Sequence, residues 1–173
     1  MSDAHTYLVA LGSNQRHAYF GRPEEIVQLA AQAVGDNLGE VIALSPTIRS
    51  RPVGPSQRRF ANAALVVESD LAPPDMLEGL QVIESAMGRQ RRGRRWQSRT
   101  LDLDIVLWSG GIYGSDRLTI PHPLFARRDF VLGPAASIAA PWRDPMSGLS
   151  LAQLNHRLTR KRPLPSAPAW SGP

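Results

Sequence analysis

The sequence contains no cysteine. That absence excludes disulfides, a thiolate nucleophile and thiolate-bound zinc or iron–sulfur centres, and it fits a reducing compartment. Lysine is nearly absent too. Of 20 basic residues only Lys161 is a lysine, and the rest are arginines. A P-loop, a protein kinase strand and a Schiff-base enzyme each need a lysine inside the fold. None is available here, so phosphate chemistry must rest on arginine and metal. No apolar run approaches the roughly 20 residues of a membrane span, and Met1–Tyr7 shows no basic-plus-apolar leader. The expectation is a soluble, cytoplasmic protein that engages no membrane.

What is present points to one domain. A chain of 173 residues with 42% apolar content can bury a single sizeable core. The net charge of +5 and pI near 10.6 invite a nucleic-acid reading. However, residues 156–173 hold Arg157, Arg160, Lys161 and Arg162 and no acid, which leaves residues 1–155 with 16 basic against 15 acidic side chains. The folded part is close to neutral. The boundaries read as a domain over 1–158 and a Pro-, Ser- and Arg-rich tail over 159–173 that is expected to be disordered.

Along the chain, Tyr7–Leu11 reads as a strand ending in a Gly12-Ser13-Asn14 turn, with Arg16 and His17 after it. Pro23 opens a helix that Gly39 stops. Val41–Arg49 reads as one strand, the Pro- and Gly-containing Arg51–Arg59 as a loop, and Phe60–Glu68 as a strand. Pro73 and Pro74 start a second helix with Met76, Leu77, Leu80, Ile83 and Met87 on its buried face. Gly88–Ser98 is a basic loop, Thr100–Trp108 a strand, Ser109–Gly114 a turn and Arg117–Pro123 an extended piece. Leu124–Ala140 is helical material that Gly133-Pro134 interrupts, and Ser150–Leu158 forms a last helix. The order β-α-β-β-α-β predicts an α+β fold: a ferredoxin-like antiparallel sheet with helices packed on one face.

Two segments carry chemistry. In Thr100–Trp108 strict alternation sends Leu101, Leu103, Ile105 and Leu107 to one face and Asp102 and Asp104 to the other, the aspartates roughly 7 Å apart at Cα. Two carboxylates so spaced can share hard cations such as magnesium; a merely wetted strand face is the plainer alternative, though aspartate suits strand interiors poorly. Just before them, six arginines fall within residues 89–99 with no acid among them. Arginine grips phosphate oxygens bidentately and stays charged. The run alone favours a nucleic-acid arm over a nucleotide site, but its place ahead of an acidic strand reverses that and favours a polyphosphate held between arginine and metal. His122 sits between Pro121 and Pro123, and a structural or a ligand-binding role stays open. Phe60 and Phe130 are either core or a pair that sandwiches a flat heterocycle.

Together these pieces resemble the 6-hydroxymethyl-7,8-dihydropterin pyrophosphokinase family of folate biosynthesis. The matching stretches are Ala10–Asn14, Arg51–Pro55 with Phe60–Asn62, Ile83–Arg89, Arg95-Trp96 with Arg99–Ile105, and Arg117–His122 with Arg128–Phe130. They run in the family's order over about residues 5–155.

The resemblance implies transfer of the pyrophosphoryl group of ATP to the hydroxymethyl oxygen of 6-hydroxymethyl-7,8-dihydropterin, with release of AMP. It implies two magnesium ions on Asp102 and Asp104, and Arg89 and Arg99 on the phosphates. Gln81, Glu84, Arg91, Ile105, Arg117, Thr119, His122 and Arg128 match nucleotide contacts. Phe60 and Phe130 match the rings that stack on the pterin, whose polar edge Asn62 reads with groups near Ser50 and Val53. Gly12–Asn14, Arg51–Arg59 and Gly88–Ser98 match loops that close over the site. Gln97-Ser98 replaces a Gly-Pro common in the family, and Ser50 and Phe60 replace a common threonine and tyrosine. The expected partners are the two small molecules, with no nucleic acid, and the expected state is a monomer.

Overall fold

Strand β1 (His5–Ser13) carries large buried side chains on both of its faces, and the rest of the fold is arranged to cover them. The computed structural model describes residues 4–51, 59–88 and 100–160. After β1 come α1 (Pro23–Asn37), β2 (Glu40–Leu44), β3 (Ile48–Ser50), β4 (Phe60–Ser69), α2 (Pro73–Ala86) and β5 (Asp102–Trp108). A small β6–β7 hairpin (Tyr113–Gly114, Thr119–Ile120), a 3₁₀ turn (Phe125–Arg127), α3 (Asp129–Ala139) and α4 (Leu151–Thr159) complete it. Strand order in the antiparallel sheet is β2-β4-β1-β5, with β3 also paired to β4. β1 pairs with β4 along its whole length, from His5↔Ser69 to Ser13↔Ala61.

Helices start where the sequence marks them. Pro23 stands at the first position of α1, and the Glu25 carboxylate accepts the Arg22 N–H at 2.6 Å. That satisfies one orphan donor and places negative charge against the positive end of the helix. Pro73 and Pro74 open α2 in the same permissive first turn.

Helices cover both faces of the sheet, not one. Tyr7, Val9, Leu65 and Leu103 pack against Ile26, Val34 and Leu80 of α1 and α2. On the other side Leu8, Val66 and Leu107 pack against Leu132 of α3 and Leu151 of α4. Each such buried side chain contributes about 1.5–3 kcal/mol. The signal lay in β4, whose residues 61–67 are buried without alternation, the mark of a strand covered on both sides.

Four local expectations change. Gly12 and Ser13 belong to β1, because Ser13 is paired with Ala61 and its hydroxyl donates to the Thr100 carbonyl. The strand expected over Val41–Arg49 is split at Ser45-Pro46. There the Ser45 hydroxyl accepts the Ala64 N–H at 2.9 Å while the Ser45 N–H donates to the Ala64 carbonyl, also at 2.9 Å; Pro46 has no N–H with which to continue the ladder. β5 begins at Asp102 and its alternation ends at Ile105. Leu8 pairs with Leu107 but Val9 pairs with Ile105, so Val106 is a one-residue bulge. It turns Leu107 to the α3–α4 face, away from Leu103 and Ile105. Finally, α3 runs unbroken through Gly133 and Pro134. Pro134 only forgoes a bond to the carbonyl of Phe130, and burial of Val131, Leu132 and Ala135 on both sides of it sustains the helix. Of the expected tail, Thr159 belongs to α4 and residues 161–173 lie outside the described residues. Among the described residues no helix is long and apolar enough to cross a membrane.

Candidate active site

On the α3–α4 face the apolar layer stops short of one end of the sheet, and a cleft of about 820 Å³ opens there. The alternation that points Leu8 and Val66 into the core brings Gly12, Asn62, Asp102 and Asp104 to the cleft floor. Gly12 pairs with Asn62 on one side and with Asp102 on the other. Adjacent strands lie about 4.8 Å apart, so Asn62 and Asp102 are separated by roughly 10 Å across a residue with no side chain. Gly12 leaves its part of the floor without a side chain. A Cβ there would come within 3.4 Å of Asn62 Oδ1.

Asn62 is buried, and its Nδ2 donates to Ser50 Oγ at 2.7 Å. That bond turns Oδ1 toward Gly12, so the cleft meets an acceptor. Phe60 from β4 and Phe130 from α3 both line the cleft, half-buried. Neither belongs to the fully buried core, although Phe130 packs against its edge. Arg128 lies above the Phe130 ring, its Cζ 5.8 Å from the centroid.

Asp102 is half-buried and Asp104 exposed, and both line the cleft. Among the described residues no group of three or more His, Asp or Glu could hold a metal ion alone. Two carboxylates that line one cleft nevertheless suit magnesium, which keeps several positions for water and phosphate oxygens.

His122 comes within electrostatic reach of Asp104 from β5's outer side. Its N–H donates to the carbonyl of Val106 at 3.0 Å, so the bulge anchors it. Nδ1 accepts the Leu124 N–H at 3.2 Å, which places the proton of the neutral ring on Nε2. Burial pushes the imidazole below its ordinary value of 6.5; Asp104 opposes that shift and Arg128 adds to it.

The remaining nucleotide candidates border the edge of β5 that faces away from β1. Glu84 is buried, and its Oε1 accepts the Leu103 N–H at 2.8 Å. Gln81 Oε1 accepts from the Arg117 guanidinium at 3.5 Å. Thr119 is exposed on β7. Ile105 is buried, its side chain in the α1–α2 core. Pairing alternation in an antiparallel ladder turns its backbone groups to the outer edge, so a ligand there would meet its main chain. The candidates thus form two groups. Ser50, Phe60, Asn62, Phe130 and Arg128 share the cleft, whereas Gln81, Glu84, Ile105, Arg117, Thr119 and His122 flank the strand edge. Asp102 and Asp104 stand between them. Arg89, Arg91, Arg99 and Val53 lie outside the described residues.

The sequence model of the 7,8-dihydro-6-hydroxymethylpterin-pyrophosphokinase family matches residues 8–140. The chain belongs to this family. A 2-amino-4-hydroxy-6-hydroxymethyldihydropteridine pyrophosphokinase of Pseudomonas aeruginosa is 42% identical over 140 residues, covering 79% of this chain and 82% of the relative. The Haemophilus influenzae protein of the same name is 39% identical over 137 residues, 78% of this chain and 82% of its own. That of Synechocystis is 40% identical over 129 residues, 75% of this chain and 66% of its own. In fold the chain resembles a crystal structure of Plasmodium falciparum HPPK-DHPS, with a TM-score of 0.71 over 90% of this chain at 14% identity. It spans 44% of that solved chain.

Within this pyrophosphokinase domain the cleft also contains residues to which the sequence assigned no binding role. Arg127 and Asp129, at the entry to α3, line the cleft beside Arg128. Their signal was the charged triplet before an apolar helical run. Gly12 is a second omission. Taken for part of a loop, it is the gap in the floor, and only its register between Asn62 and Asp102 reveals that.

Proposed function

We propose that this chain transfers the pyrophosphoryl group of ATP to the hydroxymethyl oxygen of 6-hydroxymethyl-7,8-dihydropterin, giving the pterin diphosphate and AMP in folate biosynthesis. The observation that carries the site assignment is the row Asn62–Gly12–Asp102, which puts a heterocycle reader and a carboxylate on opposite sides of one gap. The pterin ring lies over Gly12 between Phe60 and Phe130. Asn62 Oδ1 accepts from its amino-pyrimidine edge, held in that orientation by Ser50, with the main chain near Val53 completing the contact.

The hydroxymethyl group then points toward β5. Asp102 and Asp104 would hold two magnesium ions, and the chemistry these would supply is neutralisation of the triphosphate's charge. Phosphoryl transfer asks a protein mainly for positioning and charge stabilisation, and these residues supply both. Arg89 and Arg99 hold phosphate oxygens. His122, neutral with its proton on Nε2, donates to the same group, and Arg128 adds charge from the cleft side. Gln81, Glu84, Arg91, Arg117, Thr119 and the backbone of Ile105 place the nucleoside along the edge of β5.

The strand order β2-β4-β1-β5, with α1 and α2 on one face, supports a ferredoxin-like core to which α3 and α4 add a second layer. The domain acts as a cytoplasmic monomer. A coupled assay tests the reaction. AMP should appear from ATP only when both hydroxymethyl-dihydropterin and magnesium are present, and ADP as the nucleotide product would overturn the reading.

A further inference from the structure

Between Asn14 and Arg22 the chain makes a tight hairpin that the proposed reaction does not use. His17 and Gly21 exchange two backbone hydrogen bonds, of 2.8 and 2.9 Å. Gly21 has φ +90°, which side chains other than glycine's rarely permit. The hairpin's far end is tied to α1 by the Glu25 carboxylate on the Arg22 N–H. It is therefore a fixed projection from the start of α1.

Its imidazole is fixed as well. His17 Nδ1 accepts the N–H groups of Tyr19 and Phe20 at 3.1 and 3.2 Å, and the ring lies 4.7 Å from the Phe20 ring, centroid to centroid. The opposite edge of the imidazole meets the chain where α2 ends and the approach to β5 begins. A Cβ built on Gly88 would lie 3.2 Å from His17 Cδ2, 3.3 Å from His17 Nε2 and 3.3 Å from Thr100 Oγ1. Gly88 itself has φ +99°. Three segments thus converge on one point: the hairpin, the exit of α2 and the residue two before Asp102. Thr100 is buried, and the Ser13 hydroxyl donates to its carbonyl, tying it to β1 from the other side.

We propose that His17 is a positioning residue for the nucleotide. Its ring sets the separation of Gly88 and Thr100, which are joined in sequence to Arg89 and Arg99, and through Thr100 it steadies Asp102. The proposal rests on the reading that these arginines and Asp102 act on the ATP phosphates. No contact between His17 and a substrate is invoked, so its removal should weaken ATP selectively.

The test is His17→Asn beside His17→Ala. An asparagine oxygen can accept the same two amides two and three residues on, as in an Asx turn, so His17→Asn keeps the hairpin's hydrogen bonds and loses the ring, with its edge toward Gly88 and its contact with Phe20. We expect His17→Asn to raise KM for ATP about tenfold, with KM for the pterin within about twofold and Tm within about 2 °C of the parent. His17→Ala should show the same rise in KM for ATP together with a lower Tm. Parental KM for ATP in His17→Asn overturns the proposal. So does a variant in which Tm and both KM values move together, since that describes a structural prop. If Arg89→Ala and Asp102→Asn left ATP kinetics intact while His17→Asn did not, the site assignment would fall and the link between His17 and the nucleotide would stand.

Discussion

The backbone N–H of His122 donates to the carbonyl of Val106 at 3.0 Å, and Val106 is the one residue within β5 without a partner on β1. A bulge leaves one residue's groups outside the ladder. Here the freed carbonyl ties the Pro121-His122-Pro123 turn to the strand that carries Asp102 and Asp104. The same slip moves Leu107 into the α3–α4 layer and brings the imidazole into electrostatic reach of Asp104.

The charge state of His122 follows. Burial, the largest influence, holds it below 6.5; Asp104 acts upward and Arg128 downward. In magnesium-free protein, NMR titration of the ring should give a midpoint below 6.5, moved further down by Asp104→Asn and up by Arg128→Ala. Because the folded value lies below the unfolded one, the unfolded state takes the proton first as pH falls. Stability is therefore complete above about 6.5 and declines below it toward the folded midpoint. A midpoint indifferent to Asp104→Asn would refute the pairing.

Asp102→Asn and Asp104→Asn keep shape and remove charge. Each should lower turnover at least about a hundredfold, or roughly 2.7 kcal/mol of barrier. The denaturant midpoint of Asp104→Asn should hold, since that carboxylate is exposed and losing one acid relieves repulsion in the metal-free pair. Near-parental magnesium-dependent turnover in either variant would show that its carboxylate holds no ion.

Much of this was legible in the sequence, and the reason differs from residue to residue. Asp102 and Asp104 were readable because strand alternation is local and the bulge lies beyond them. Pro23 and Pro73 were readable because a proline at the first helical position needs no partner. The turnover of Leu107 was not, because a single inserted residue has no composition signature. Nor was the α3–α4 layer, which follows from long-range packing that hides in the unbroken burial of β4. The division of the described candidates between cleft and strand edge follows the pterin and nucleotide sets that the resemblance implied, with Arg128 the exception. Arg128 is six residues from His122 in sequence, yet the two fall in different groups because the 3₁₀ turn Phe125–Arg127 and the start of α3 carry Arg128 round to the cleft.

Glu84 offers a separable test of the strand edge. Its carboxylate accepts the Leu103 N–H at 2.8 Å in a buried setting. Glu84→Leu leaves that amide unanswered and should cost about 1–3 kcal/mol of stability in urea. Glu84→Gln retains an oxygen and should cost less than about 1 kcal/mol. Equal losses in the two variants would mean that the bond to Leu103 contributes nothing.

Gly12→Ala probes the gap itself. The glycine sits inside β1, paired with Asn62 and Asp102, and no left-handed backbone is needed there, so alanine can adopt the same conformation. The added Cβ would stand 3.4 Å from Asn62 Oδ1, at the edge of ordinary contact, so the fold should absorb it and Tm should not fall. What it cannot leave unchanged is the floor, because the methyl occupies the space where the proposed pterin plane must lie. We expect KM for the pterin to rise about tenfold, equivalent to about 1.4 kcal/mol, while KM for ATP stays within about twofold. Steady-state kinetics with each substrate varied in turn give both numbers. An unchanged KM for the pterin would place the heterocycle elsewhere and remove Asn62 from its recognition; a parallel rise for ATP would mean that the methyl acts by displacing Asp102.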